Sequence, residues 1–339
     1  MNLNEIKLEV LPETLRIGKI SDQEYFSKKY SAYVSNSRLG SINPEQGGSP
    51  EKFFNPMGGI YSDSIILGSA CHEIYLQPEY FELVQIERPN AKLGFVCDYI
   101  WEHFREISDA AIIEASQVID YYKDSLTDKK ITAVEEAYDS YYKGRIAYKE
   151  KEGIEPMFLS PKLYETAVNS IQACNNNQAF TKIMHPDYLI EEPVSENEQA
   201  FTVDFKCSFP DKDPIVIKWK SKLDNYVIDF ESNTITVNDL KTIGAIVSKF
   251  DGETGNFGRF HYYREFFIYI YLLKLYVKQK YNLKNPKITA NALVVSTIPG
   301  NYTKVYEVTN KEIKKGLDEF KYLMRLVAYY IAYEGYGLD

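Results

Sequence analysis

Cysteine is scarce in this chain of 339 residues: Cys71, Cys97, Cys174 and Cys207 lie far apart, and no two form a Cys-x-x-Cys pair. That spacing argues against a cysteine-built zinc site or iron–sulfur cluster. Long apolar runs are missing as well, and no stretch reaches bilayer-spanning length without charges. The opening MNLNEIKLEVLPETL lacks the charged-then-apolar pattern of a secretory leader, so a reducing, cytoplasmic setting without membrane attachment is the expectation. Positive charge is in short supply: 39 Lys and Arg against 48 Asp and Glu leave a formal net charge of -9. Phosphate affinity comes largely from Lys and Arg. The balance therefore speaks against a protein that coats nucleic acid, while leaving room for a local basic groove beside a carboxylate-rich centre.

What is present is an ordinary globular composition, 45% hydrophobic and 26% charged, long enough for one large domain or two. Residues 1–34 read as a poorly defined lead-in. Residues 35–58, rich in Ser, Gly, Pro and Asn, read as loop or short helix. SIILGSACHEIYLQ (64–77) has a helical pattern that Pro78 ends. Residues 98–160 form a charged helical insertion, and Ser160-Pro161 caps a helix running to the Asn175-Asn176-Asn177 breaker. Two short strands are expected within 188–208. Residues 215–241 alternate with period two and are rich in Val, Ile and Thr. Helix returns over 259–280, two strands flank Pro299-Gly300, and Thr309 with Glu312 opens a last helix with a capping box. The order predicts a single α/β domain over 1–339, with a mixed central sheet flanked by helices and an N-terminal helical elaboration.

The sharpest chemical feature is KSKLDNYVIDFESNTITVNDLKT. Alternate strand residues share a face, so Asp239 and Lys241 point together, with Leu240 opposite, and Lys220, Lys222 and Asp224 likewise align. A two-residue loop at Ser232-Asn233 would set Asp224 opposite Lys241 and Tyr226 opposite Asp239. The two carboxylates become diagonal neighbours roughly 7–8 Å apart, able to reach one divalent cation. Hydrolysis of a phosphodiester needs charge neutralisation and an activated water, which Mg²⁺ or Mn²⁺ provides. Lys241 would orient or help deprotonate that water and stabilise negative charge at phosphorus. An Asp-x-Lys at a strand end is more often a solvated ion pair, so the reading needs a second signal.

That signal lies upstream. Ser35, Ser37 and Leu39, then Ser49, Pro50 and Phe53, then Leu67, Gly68, Ala70, His72, Leu76, Pro78 and Phe81 follow an S-x-S-x-L, S-P-x-x-F, L-G-x-A-x-H-x-x-x-L-x-P-x-x-F series. With Asp224, Asp239-Leu240-Lys241-Thr242 and a helix bearing Glu265 and Tyr269, this order resembles the RecE-type phage and prophage exonucleases of the PD-(D/E)xK nuclease superfamily. The resemblance spans about residues 30–335 and is faint over 98–160. It implies a PD-(D/E)xK core and a metal-dependent exodeoxyribonuclease working 5′→3′ on linear double-stranded DNA in phage recombination or replication. Other expectations are Mg²⁺ or Mn²⁺ as cofactor, a homo-oligomer, a single-strand annealing protein as partner, and the bacterial host cytoplasm as location.

By that resemblance His72, Asp224, Asp239 and the Leu240 carbonyl hold metal, and Lys241 is the catalytic lysine. Tyr269, with Glu265 one turn before it, is set at the DNA; on the residues alone, Arg264 beside them either contacts a phosphate or is a surface Arg, and Lys222 offers the DNA the basic face of its strand. Gly68, Ser69 and Ala70 would let the helix sit close enough to aim His72 at the carboxylates. Glu265 departs from the family's Gln and either joins the metal shell or marks altered substrate handling. Glu191 or Glu192 is a candidate for an additional acidic ligand, although an exposed acidic loop fits that pair better. His103, His185 and His261 read as structural or exposed. CRISPR-adaptation nucleases share the series but carry clustered cysteines, which are missing here. A catalytically idle nuclease-like DNA-binding or virion protein is the alternative.

Overall fold

The computed structural model describes residues 2–56, 61–122 and 125–338. Residues 57–58 of the expected 35–58 loop, and 123–124 of the expected insertion, lie outside them. In chain order the elements are β1 (Lys7–Lys19), α1 (Asp22–Tyr25), α2 (Asn36–Gly40), α3 (Pro50–Phe54), α4 (Asp63–Leu76), β2 (Phe81–Gln85), α5 (Ala91–His103), α6 (Asp109–Val118), α7 (Asp128–Ala147), β3 (Glu155–Leu159), α8 (Pro161–Asn175) and α9 (Gln178–Met184). There follow β4 (Val194–Ser208), β5 (Ile215–Asp229), β6 (Thr234–Ile243), α10 (Asn256–Arg259), α11 (Tyr262–Tyr281), β7 (Lys287–Ser296), β8 (Thr303–Glu307) and α12 (Asn310–Glu334). No helix among the described residues is long and apolar enough to cross a membrane.

The fold is mixed α/β. Six strands form one mixed sheet in the order β1-β4-β5-β6-β7-β8, with β6 and β7 parallel and the other neighbours antiparallel. Period-two alternation sends the side chains of β6 and β7 to opposite faces. Val237, Ala290, Ala292 and Val294 join the large core with α11 and α12. Leu240, Leu293 and Val295 pack against Leu76, Cys174, Phe180 and Met184 of α4, α8 and α9. The sheet is thus the middle of three layers.

Two expectations about strands need correction. The 1–34 lead-in contains the 13-residue strand β1. Pro12 hid it, since proline belongs in strands only at edges and bulges. β1 is an edge strand, and its register slips between Leu11 and Arg16. Within the slip the Thr14 hydroxyl donates to the Leu11 carbonyl at 2.7 Å and accepts from the Asp204 N–H at 2.8 Å. Residues 188–208 hold one long strand, β4, because nothing within it makes a turn.

The helix ends follow their capping chemistry. Ser35 and Ser49 accept from the third backbone N–H of α2 and α3, and Pro50 sits in the first turn. Leu39 and Phe53, each four residues after its cap, are buried. The S-x-S-x-L and S-P-x-x-F strings therefore have a local structural meaning of cap plus anchor. The capping box at Thr309 and Glu312 is present. α12 crosses α11 at Gly316, where an added Cβ would lie 2.1 Å from the Tyr263 carbonyl oxygen and 2.9 Å from the Phe267 Cβ. Gly316→Ala is expected to destabilise the protein by about 1–3 kcal/mol through overpacking, read as a lower urea midpoint at unchanged slope.

The expected helical insertion over 98–160 takes in most of α5 with α6 and α7, but its end, Glu155–Leu159, is the strand β3, and the excursion starts before residue 98. β2 and β3 pair in parallel and bracket α5, α6 and α7. These helices bury Val96, Ile100, Ile112, Val134 and Tyr141 in a core of their own.

Candidate active site at a fork in the sheet

The hairpin turn is longer than two residues. The last β5–β6 pair is Asp229 with Thr234, leaving residues 230–233 as the loop, and the ladder runs Tyr226–Val237 and stops at Asn225–Asn238. The Asp229 carboxylate sets this length by accepting from the Ser232 N–H at 3.1 Å and its hydroxyl at 2.7 Å, and Asn233 takes a left-handed φ of 50°. The register is therefore shifted by two from the expected one. An even shift keeps every side chain on its face, so the Asp239/Lys241 alignment survives the error.

Beyond Asn225 and Asn238 the two strands part. Val34 takes the vacated place beside β5, its N–H donating to the Lys218 carbonyl at 2.8 Å and its carbonyl accepting from the Lys220 N–H at 2.9 Å. Asp224 stands at the fork. Its Oδ2 accepts from the Leu240 N–H at 2.7 Å, so a side chain replaces the missing ladder bond. The fork is floored by an amide ladder in which Asn291 donates to Asn238 at 3.0 Å and Asn238 to Asn225 at 2.7 Å.

His72 reaches the fork from α4. Gly68 makes this possible, since a Cβ there would lie 3.3 Å from Thr242 Oγ1 of β6. His72 Nδ1 is 3.2 Å from Asp224 Oδ2, and a quarter of the imidazole remains exposed. Burial opposes charge on this ring, but Asp224 outweighs it and the imidazole is pushed up to about 9. The Asp224 carboxyl is held low by the same pairing against its burial.

The sequence reading missed the third member, Glu198 of β4. The exposed Glu191 and Glu192 lie on the loop before that strand and take no part. Glu198 is flanked by the pairs Asn197–Asn225 and Gln199–Leu223, which makes it the register partner of Asp224. Its φ of 53° is a conformation that a glutamate adopts only under constraint. His72, Glu198 and Asp224 each offer a ligand atom within 4.8 Å of the others. Burial, then the nearby Asp224 charge, push the Glu198 carboxyl up to about 7 despite its ion pair with Lys222 at 2.5 Å. Lys222 also bonds Asp22 at 2.8 Å.

Asp239 and Lys241 face α11, on the opposite side of the sheet from α4. Lys241 Nζ is 2.5 Å from Asp239 Oδ2 and 3.1 Å from Glu265 Oε2, and 4.6 Å from the centre of the Tyr262 ring. Burial opposes charge on Lys241, but these two carboxylates hold it well above its ordinary value. Asp239 is fully enclosed, and burial pushes its carboxyl up although Lys241 pulls it down. Its Oδ2 has the Lys241 ammonium as its partner. The Tyr269 hydroxyl donates to Glu265 Oε1 at 2.9 Å, so the helix-borne pair one turn apart is joined.

The structure thus gathers His72, Asp224, Asp239, Lys241, Glu265, Tyr269 and Lys222 around the fork, with Glu198 added. Asp239 is set apart from the tightest trio, its carboxylate turned to Lys241. Leu240 contributes its N–H to Asp224, with its side chain in the opposite core. Arg264 is neither a surface residue nor free for phosphate. Its Nε donates to Asn36 at 2.7 Å and its NH1 to Glu319 at 2.5 Å, and it is 2% exposed. It ties α11 to α2 and α12.

Of the other histidines, His103 and His185 are exposed and His261 is buried against Glu319 at 2.9 Å. Burial would raise the Glu319 carboxyl, but His261 and Arg264 hold it below its ordinary value. A folded-state value below the unfolded one gives stability that is present at neutral pH and lost as acid titrates the folded carboxylate. Glu319→Gln is expected to melt lower than wild type at pH 7, with the gap closing in thermal melts near pH 3.

The residues suit a divalent ion. Two carboxylates and an imidazole converge, and Glu198 beside Asp224 is a like-charge pair that a cation would relieve. Carboxylates suit Mg²⁺ or Mn²⁺, and of the two Mn²⁺ takes the imidazole nitrogen more readily.

No protein-family model matches the chain, and no curated protein matches it. Among solved structures, the chain is similar to one described as "Putative exonuclease" from Eubacterium rectale, at 13% identity and a TM-score of 0.48, over 92% of this chain and 86% of that one.

Proposed function

We propose that the protein is a metal-dependent nuclease of the PD-(D/E)xK type that hydrolyses phosphodiester bonds in DNA. One observation carries this reading: His72, Glu198 and Asp224 place ligand atoms within 4.8 Å of one another, next to a lysine held by two carboxylates. His72, Glu198 and Asp224, with Asp239 behind them, would hold Mg²⁺ or Mn²⁺. Such an ion supplies charge neutralisation at the phosphate and an acidified water.

The chain's own groups do the rest. Lys241 is kept protonated by Asp239 and Glu265, so it donates hydrogen bonds to water and phosphate oxygen and does not accept a proton. Glu265 balances that charge and is itself steadied by Tyr269. This gives the glutamate in place of the family's Gln a role: it fixes the lysine. The finer expectations belong to the same proposal: 5′→3′ degradation of linear duplex DNA, a homo-oligomer, a single-strand annealing partner and work in phage recombination in the host cytoplasm.

The test uses purified protein with Mn²⁺ or Mg²⁺ on linear and closed-circular duplex DNA. Loss of the linear form alone, abolished by Asp239→Ala, is the expected result. Binding of DNA with no degradation by wild type, in either metal, would establish the idle DNA-binding alternative.

A further inference from the structure

Two small cavities open on the fork, one from each side. The first, about 270 Å³, contains His72, Glu198, Asp224 and Lys222, and Phe26 stands at its edge. The second, about 340 Å³, contains Lys241 and Glu265, and its aromatic edge is Phe260. Phe26 is 74% exposed and Phe260 47% exposed. Burying a phenyl ring stabilises a fold, and leaving two of them in water beside the same charged centre costs that gain.

Neither ring dangles. Phe26 follows α1, a turn fastened to β5 at two points. The buried Lys220 Nζ donates to the Tyr25 carbonyl at 2.7 Å, and Lys222 bonds Asp22 at 2.8 Å. The ring packs edge-on against the buried Tyr25 at 5.1 Å between centres. Phe260 ends α10, its N–H donating to the Asn256 carbonyl at 3.0 Å. It is followed by His261, whose left-handed φ of 55° turns the chain sharply into α11. Its ring lies 5.8 Å from Tyr262, the residue over Lys241. A ring held in place before its ligand arrives loses little entropy on binding.

We propose that Phe26 and Phe260 are nucleobase-stacking platforms on the two sides of the fork, each receiving a base of a single strand whose phosphodiester lies between them. This inference rests on the nuclease reading and adds how the strand is held. The chain's overall charge of -9 limits what attraction to phosphates can supply to any strand bound here. With few cations to grip phosphates, affinity has to come from contacts indifferent to charge, and every base offers a π face. Stacking is tolerant of sequence, so the platforms would grip any strand while the charged centre acts on the backbone.

The test compares a thymidine 12-mer with an abasic deoxyribose-phosphate oligomer of equal length, in calcium, with gels confirming that both stay intact. Wild type is expected to bind the thymidine strand at least ten-fold more tightly than the abasic one. Phe26→Ala and Phe260→Ala should each weaken thymidine binding about ten-fold and leave abasic binding alone. Phe260→Tyr should restore it and Phe260→Leu, which keeps the apolar bulk, should not. Equal wild-type affinity for both strands, or Ala variants that bind as wild type does, overturns the stacking assignment while leaving cleavage of linear DNA untouched. Cleavage that fails in wild type removes the nuclease reading separately. Sedimentation without DNA covers the other use of exposed rings: if either Ala variant dissociates an oligomer, the rings serve contact between copies and the inference falls.

Discussion

Lys241→Met is expected to slow cleavage of linear duplex DNA by about 10²–10³-fold or more, the usual loss when a preorganised charge aimed at the developing transition state is removed, while Mn²⁺ still binds. The side chain is 13% exposed and sits between a fully buried carboxylate and one from α11. Removing the ammonium leaves Asp239 and Glu265 facing each other without a counter-ion. Breaking such a pair costs about 3–5 kcal/mol, so the variant should also melt well below wild type. Adding Glu265→Gln separates the two effects. The double variant should regain much of the lost melting temperature, since the surplus charge is gone. It should regain none of the rate. Recovery of both would reduce Lys241 to a structural ion and sink its assigned role.

Glu198→Gln and Asp224→Asn carry the second large effect, on metal affinity. Substituting even outer-shell partners of a metal typically costs about 10–100-fold in affinity, and a ligand at least that. Calorimetric titration of Mn²⁺ into each variant is therefore expected to show a loss of that size or greater. The stability readout runs the other way for Glu198. Its carboxyl is already pushed up by burial and by Asp224, so a neutral amide suits the metal-free site as well as the acid does. Melts in chelator should place Glu198→Gln no lower than wild type. A purely structural Glu198, valued for its bond to Lys222, would show the opposite: lower metal-free stability and unaltered Mn²⁺ affinity. Asp224→Asn is more disruptive because the Leu240 N–H and His72 both depend on that carboxylate.

The parts of this centre that were legible in sequence are those fixed by short-range rules. Asp239 and Lys241 share a face because strand periodicity is two, and that held although the turn was misjudged by two residues. His72 was singled out by the resemblance its Leu-Gly-x-Ala-x-His string carries, and the structure gives the small residues of that string a reason, a close approach at Gly68. What was not legible depends on longer-range facts. The length of the 230–233 loop follows from the Asp229 carboxylate folding back on Ser232, a choice that competes with a tight turn at Ser232-Asn233. Glu198 becomes visible only when β4 and β5 are paired, which places 198 across from 224. Its left-handed backbone is a local strain that sequence patterning does not announce. Arg264 reads as a surface cation by type. It is buried because α2, α11 and α12 meet around it and Glu319 neutralises it. The β1 strand was obscured by a proline that its edge position tolerates.

The parallel β2–β3 pair, with the separately cored α5, α6 and α7 between its strands, divides the molecule's cooperativity. Among the described residues that core includes no side chain from the six-stranded sheet, so the two regions need not open together. Amide protons of α5–α7 should exchange through an opening equilibrium of their own, at a lower free energy than those of β5, β6 and β7. The fork would then stay intact on a timescale over which the neighbouring helices breathe.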